Sequence, residues 1–466
     1  MQTYKEFITG SFNFPNKEFN LSNNWLTFNN LNLKTVVEEH NSPLRISYLP
    51  KISDQIAQAK TLFNKSMAAL GINSNYIYTY CTKSSHFDFI IKKCLAEGAQ
   101  IETSSAFDVQ IVRHLHRRGL FDKNLYVLAN GFKRPAYTQY LCEMIADGFS
   151  NCVPILDNLN EFKVYKEQIN QPYKIGIRLA SDESPNFNFY TSRLGIREKE
   201  IINFYNEQIK NDPYASLHIL HFFINTGIKD TPYYWNELDR FINLYCQLHK
   251  ICPDLKNIDI GGGFPIKDHL NFDYNYDSII YDILNHIKTL CLENDVPIPN
   301  IITEFGSYTV GETGAMIYNI LDEKKQNDVE SWYMIDGSFI TNLPDTWALN
   351  QRYILLPLNH WDKPFKKVNL GGLTCDSLDY YNTQRHKAEV FLPEFNSDDP
   401  LYVGLFHTGA YQEALSGYGG IQHCLIPQPK HLIYDYNLLN ELHGRVFAEE
   451  QYEKEMLQKL GYSNMK

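Results

Sequence analysis

Eight short apolar runs, each followed by a helical pattern, constrain this chain more than any other feature. They occupy residues 76–81, 100–103, 125–130, 151–156, 175–179, 217–224, 258–260 and 301–304. Between them lie amphipathic stretches such as Phe87, Phe89, Ile90, Ile91, Cys94 and Leu95, whose spacing gathers apolar side chains on one helical face. Buried strands alternating with helices build βαβ units and a parallel sheet. Eight such units in roughly 250 residues is the count of a (β/α)8 barrel. A doubly wound open sheet alternates in the same way and remains an alternative at this point.

After about residue 331 the texture changes. Short strand-like runs at 332–335, 352–356, 367–370, 389–392, 401–406 and 424–425 are separated by turn residues, with few helical patterns between them. That predicts an antiparallel β domain following the barrel. The first 45 residues are rich in Asn and aromatics and are expected to pack against it; 449–461 reads as a closing helix. The expected division is a barrel over 46–310 and a β domain built from 1–45 and 311–466.

Composition narrows the class. Of 466 residues 44% are hydrophobic, with 32 Tyr, 28 Phe and 5 Trp, so a large core can form. A disordered chain and a disulfide miniprotein are excluded. With 43 basic against 54 acidic residues the formal charge is -11, which argues against a nucleic-acid binder. No apolar run approaches the length of a membrane span, and the start lacks the pattern of a secretory signal. Nine cysteines scattered from Cys81 to Cys424, with no CxxC pair, are expected to be free thiols, and the expected compartment is the cytoplasm.

In a barrel, chemistry gathers where the strands end. Those ends carry Lys83, Glu102, Asn130, Asp157, Arg178, the stretch from Phe223 to Thr226, then Gly261, Gly262, Gly263 and Glu304. Lys83 is either a solvated loop charge or a lysine that forms a Schiff base. The three glycines either make a tight turn or let backbone N–H groups approach a phosphate. Glu304 either forms an ion pair in the barrel mouth or holds a protonated ring nitrogen. Together the set supplies what pyridoxal phosphate needs: an aldehyde partner, an anion cradle and a counter-charge for the ring. Cys375-Asp376 alone reads as a strand end, and Tyr411 alone as a core residue.

The order of these groups resembles the fold type III pyridoxal-phosphate decarboxylases, which act on ornithine, diaminopimelate or arginine. Ala129-Asn130-Gly131-Phe132-Lys133, Leu343-Pro344-Asp345-Thr346-Trp347-Ala348, Thr374-Cys375-Asp376-Ser377 and Gly409-Ala410-Tyr411-Gln412-Glu413 are most similar to the biosynthetic arginine branch. The resemblance covers roughly 40–465 and implies an alanine-racemase-like barrel plus a β domain. It implies that Lys83 forms the Schiff base with pyridoxal phosphate and that Glu304 pairs with the ring nitrogen. Gly261, Gly262, Gly263, Thr226 and Tyr411 would hold the phosphate, while Glu102 and Arg178 organise the mouth. Cys375 would return a proton to the substrate carbon and Asp376 would bind its distal cation. Both would come from the partner subunit of an obligate homodimer.

Two departures stand out. The family's His-x-His-Ile-Gly-Ser reads His221-Phe222-Phe223-Ile224-Asn225-Thr226, so Phe223 replaces the histidine that stacks on the cofactor ring. Its Glu-x-Gly-Arg reads Glu304-Phe305-Gly306-Ser307, which removes a charge-assisted phosphate contact. The implied reaction is decarboxylation of L-arginine to agmatine, within polyamine biosynthesis. Decarboxylation of ornithine or lysine, a racemase, and a catalytically silent relative that binds a partner are the alternatives.

Overall fold

The computed structural model describes residues 2–181, 192–381 and 389–462. Contacts divide the chain into two units, Ile52–Pro265 with Tyr274–Thr309, and Met1–Lys51 with Ile266–Asp273 and Val310–Lys466.

The first unit is a closed barrel of β1 (Tyr76–Cys81), β2 (Gln100–Thr103), β3 (Val127–Ala129), β4 (Cys152–Leu156), β5 (Tyr173–Arg178), β6 (Ala215–His221), β7 (Asn257–Asp259) and β8 (Asn300–Phe305). All neighbours are parallel. The pairing of β8 with β1, from Ile301–Tyr76 to Phe305–Tyr80, closes the ring and removes the open-sheet alternative. Three of the intervening helices, Ala106–Arg117, Pro232–Ile251 and Tyr276–Glu293, start on side-chain caps. Ser105 accepts from the Asp108 N–H, and Thr231 accepts from the Tyr234 N–H just before a proline at the first helical turn. Among the described residues, no helix is long and apolar enough to cross a membrane.

One expected strand, 217–224, is shorter in the structure and stops at His221. Its apolar residues continue into a loop, and hydropathy alone does not mark where the ladder ends.

Inside the barrel, Leu128, Val153, Ile155, Ile219 and Ile302 form a buried cluster. Gly176 leaves the room it needs, since a Cβ there would lie 2.4 Å from Ile155 Cδ1. Residues two apart on a strand share a face. The inward positions next after Gly176, Ile219 and Ile302 are therefore Arg178, His221 and Glu304. Register sets Arg178 beside His221 and His221 beside Asp259. An apolar layer thus carries an ionisable layer at the C-terminal ends of the strands.

In the second unit the strand Gly314–Lys325 pairs with Leu44–Tyr48, Tyr402–Phe406 and Ser331–Ile335. Its first five residues are all buried and lack the alternation that would separate them from a helix in sequence. Pairing is antiparallel except where Ser331–Ile335 meets Phe365–Gly371 and where Leu44–Tyr48 meets Lys430–Tyr436. Aromatic packing ties in the N-terminal segment: Phe7 stacks on Phe365 at 4.6 Å and Phe14 on Trp361 at 4.8 Å. Two expectations are corrected here. Cys424 and Leu425 form no strand, because their φ values of 54° and 55° are left-handed and break a ladder. The closing helix spans only Glu453–Lys459, because Tyr452 before it is still extended, with φ of -83° and ψ of 144°.

Candidate active site

Lys83 lies in a single 3-10 turn, Thr82–Ser84, directly after β1. The register that sets Cys81 beside Glu102 brings the two side chains together, with Lys83 Nζ 2.7 Å from Glu102 Oε2. Glu102 is fully buried while the lysine side chain is 40% exposed. Burial pushes the Glu102 carboxyl up, and the Lys83 charge opposes that shift. The result is a reachable amine held by an inaccessible carboxylate.

Glu304 is more tightly enclosed. Its Oε1 accepts from Asn130 Nδ2 at 2.6 Å, and its Oε2 lies 3.4 Å from His221 Nε2. Burial alone would raise its pKa, but the charges of His221 and Lys83 and the Asn130 hydrogen bond outweigh it and hold the carboxyl below the usual range. Burial favours neutral imidazole in His221, against the pull of Glu304. Even with His221 neutral, Lys83 and Asn130 still favour the charged carboxylate. Asp259 goes the other way: burial, then the neighbouring Glu304, push it well up. The two neighbouring carboxyls are thus pushed in opposite directions, as expected for like charges confined together.

The glycines after β7 serve both close packing and backbone geometry. A Cβ on Gly262 would fall 2.0 Å from the Glu304 carbonyl oxygen, while Gly261 and Gly263 take φ of +68° and +104°. The Gly261 N–H donates to Asp259 Oδ1 at 2.9 Å. Gly263 abuts the loop after β6, where its Cβ would meet Gly227 Cα at 2.7 Å. In that loop Thr226 buries its hydroxyl, and Phe223 stands with its ring centroid 5.8 Å from the Arg178 guanidinium carbon.

These groups fit pyridoxal phosphate. Thr79 Oγ1, Glu102 Oε1, Asn130 Oδ1, Arg178 Nε and Thr226 Oγ1 are buried with no hydrogen-bond partner among the described residues. Buried polar atoms are ordinarily satisfied, so such a concentration suits a polar ligand. An accessible amine, an ionised carboxylate and a glycine–threonine corner match its aldehyde, ring nitrogen and phosphate.

Tyr411, Cys375 and Asp376 lie in the second unit. Tyr411 takes a left-handed φ of 67° ahead of the helix Gln412–Ser416. Gln412 Nε2 donates to Asp345 Oδ2 at 2.8 Å, and Glu413 meets buried Arg45 at 3.3 Å. Segments 343–348 and 409–413 are thus cross-linked, which gives their unusual residue pattern a structural cause. The loop bearing Cys375 and Asp376 is anchored by buried Asp379. One oxygen accepts from the Phe339 N–H at 2.8 Å, and the other from Thr374 Oγ1 at 2.7 Å. Cys375 itself is exposed.

Local sequence marks no role for His221 or Asp259, and it marks Asn130 only by its place at a strand end and in the motif at 129–133. The available signal was a polar residue at an inward position of an otherwise apolar strand. Lys133, from the same motif as Asn130, is structural. It is buried, and donates to the Ile155 carbonyl at 2.7 Å beside Glu161 at 2.9 Å.

Comparison with known proteins agrees with this chemistry. Residues 52–311 match the family described as pyridoxal-dependent decarboxylase, pyridoxal binding domain. The chain belongs to this family, the fold type III pyridoxal-phosphate-dependent decarboxylases, whose cofactor is pyridoxal phosphate. It is similar to the biosynthetic arginine decarboxylase of Prochlorococcus marinus strain MIT 9215, at 23% identity over 91% of this chain and 83% of the relative. Its fold is similar to that of the biosynthetic arginine decarboxylase of Campylobacter jejuni (TM-score 0.80, 19% identity, 99% and 91% of the two chains). The diaminopimelate decarboxylase of M. jannaschi shares it too (TM-score 0.79, 14% identity, 95% and 98%).

Proposed function

We propose that this decarboxylase converts L-arginine and one proton to agmatine and carbon dioxide, as a homodimer whose sites each take residues from both chains. The observation that carries the chemistry is the paired row at the barrel mouth, Lys83 with Glu102 and Glu304 with Asn130. Lys83 would bond the cofactor through Nζ, with Glu102 holding the amine in place. Glu304, ionised, would pair with the ring nitrogen. The amides of Gly261, Gly262 and Gly263, with Thr226 and Tyr411, would hold the phosphate, and Phe223 would cover a ring face without a hydrogen bond. When bound, pyridoxal phosphate supplies the sink for the electron pair left as carbon dioxide departs.

Cys375 would then give its thiol proton to the substrate carbon. A hydrogen bond with Cys424, and the charge of that neighbour, push the Cys375 thiol up and favour the protonated donor. Asp376 would bind the substrate's far end, where a carboxylate accepts two parallel bonds from a planar guanidinium. The same charge disfavours diaminopimelate, whose far end carries a second carboxylate. Preference for arginine over ornithine or lysine rests on the likeness to the biosynthetic arginine decarboxylases. The dimer is supported by exposed Leu373, Leu378, Ile421 and Leu425 around the Cys375 loop. Carbon dioxide release from arginine, ornithine, lysine and diaminopimelate with added cofactor tests the assignment. Release should be fastest from arginine; equal turnover of ornithine would overturn it.

A further inference from the structure

Of the nine cysteines, seven are buried, and burial pushes up thiols such as Cys81, Cys94 and Cys152. Cys375 and Cys424 are the two exposed ones, and they meet: their sulfurs are 3.4 Å apart although 49 residues separate them. Each is on a different loop, Cys375 following the strand Phe365–Gly371 and Cys424 in the turn His423–Leu425. A ring nitrogen of His423 lies within 4.8 Å of both sulfurs, and its Nε2 is 3.9 Å from Asp376 Oδ2. In the single chain both thiols are exposed, and an imidazole beside them can take the proton released when one of them attacks.

We propose that Cys375 and Cys424 are a modification site, forming a reversible disulfide by exchange with a small-molecule disulfide such as oxidised glutathione. One thiolate attacks a sulfur of the small molecule and expels its first half as a thiol. The second cysteine then displaces the other half, so two protein thiols are oxidised and one external disulfide is reduced to two thiols. The protein sulfurs need to close from 3.4 Å to about 2.05 Å. Bonded in this way, Cys375 has no thiol proton to give. The linkage stands on the geometry of the two loops; its effect on turnover rests on the role proposed above for Cys375.

The test uses the cofactor-loaded enzyme, incubated with oxidised glutathione in the presence of a chelator, alkylated, and mapped by mass spectrometry. The expected product is a pair of peptides joined through Cys375 and Cys424, the chain lighter by two hydrogens. Decarboxylation should fall at least about tenfold and return with dithiothreitol. Cys424→Ser should form no such link and instead carry a single glutathione at Cys375, with its own activity under reducing conditions as the reference. Recovery of both cysteines as free thiols, or as two separate glutathione adducts, would overturn the proposal. A complete link with undiminished turnover would uphold the disulfide and overturn the role of Cys375 in the reaction.

Discussion

The barrel mouth and the loop of Cys375 and Asp376 both present polar chemistry, yet they are built in opposite ways. At the mouth, support is internal. Glu102, His221, Asp259 and Glu304 are buried, and each is set by the register of a neighbouring strand on an apolar layer. The loop is held at its base by buried Asp379, while Cys375 points to solvent and touches another exposed loop. The contrast teaches that a parallel barrel sets its ionisable groups by strand register, whereas an exposed loop is fixed only at its base.

Three substitutions sharpen this contrast. The largest expected effect is at the mouth: Lys83→Ala should lower turnover on the order of 1000-fold and abolish covalent retention of the cofactor after borohydride reduction. Retention of full activity in that variant would mean that Lys83 does not hold the cofactor.

Next comes the second unit's own buried core of charge, away from the loop. Glu18 contacts His407 at 2.8 Å, with Lys51 at 3.8 Å and Lys267 at 3.4 Å. Burial would raise the Glu18 carboxyl, but His407 and the two lysines outweigh it and lower it to about 2 from 4.5. Its stabilisation is therefore present above pH 4.5 and is lost as pH falls toward 2. For His407 burial is likewise outweighed by Glu18, and its pKa is raised above 6.5. Its stabilisation is full below pH 6.5 and fades as pH rises through the raised value. Thermal unfolding should thus show greatest stability from this pair between pH 4.5 and 6.5. Glu18→Gln should cost about 3 kcal/mol in that window, because His407 is left buried beside a neutral group.

The smallest effect belongs to the loop's anchor. Asp379 accepts from the backbone N–H groups of Phe339, Ile340 and Thr374, and Asp379→Asn, which removes one acceptor oxygen, should cost about 1–2 kcal/mol by chemical denaturation. It should also raise KM while leaving cofactor absorbance unchanged. A loss of absorbance equal to that in Lys83→Ala would mean that the loop and the mouth do not divide the work as described.

Most of the barrel was legible because strand and helix periods alternate cleanly, and the closing pair needed only the eighth run. The strand Gly314–Lys325 was not legible, because a buried apolar run has no period that separates strand from helix. The turn at Cys424 was hidden for a related reason, since a cysteine and a leucine in left-handed geometry carry no glycine or asparagine signal. At the site, Lys83, Glu304 and the glycines could be singled out by chemistry at strand ends. His221 and Asp259 could not, because their meaning lies in the register between strands. The meeting of Cys375 with Cys424 depends on two loops far apart in sequence, which no local pattern encodes.

The claim that each site joins the mouth of one chain to the Cys375–Asp376 loop of another is tested most directly by subunit mixing. Lys83→Ala and Asp376→Ala proteins, each nearly inactive alone, are dissociated, mixed in equal amounts and reassociated. Random pairing leaves one intact site in each mixed dimer, so activity should return to about a quarter of the unsubstituted enzyme's. A mixture no more active than its two components would contradict a shared site.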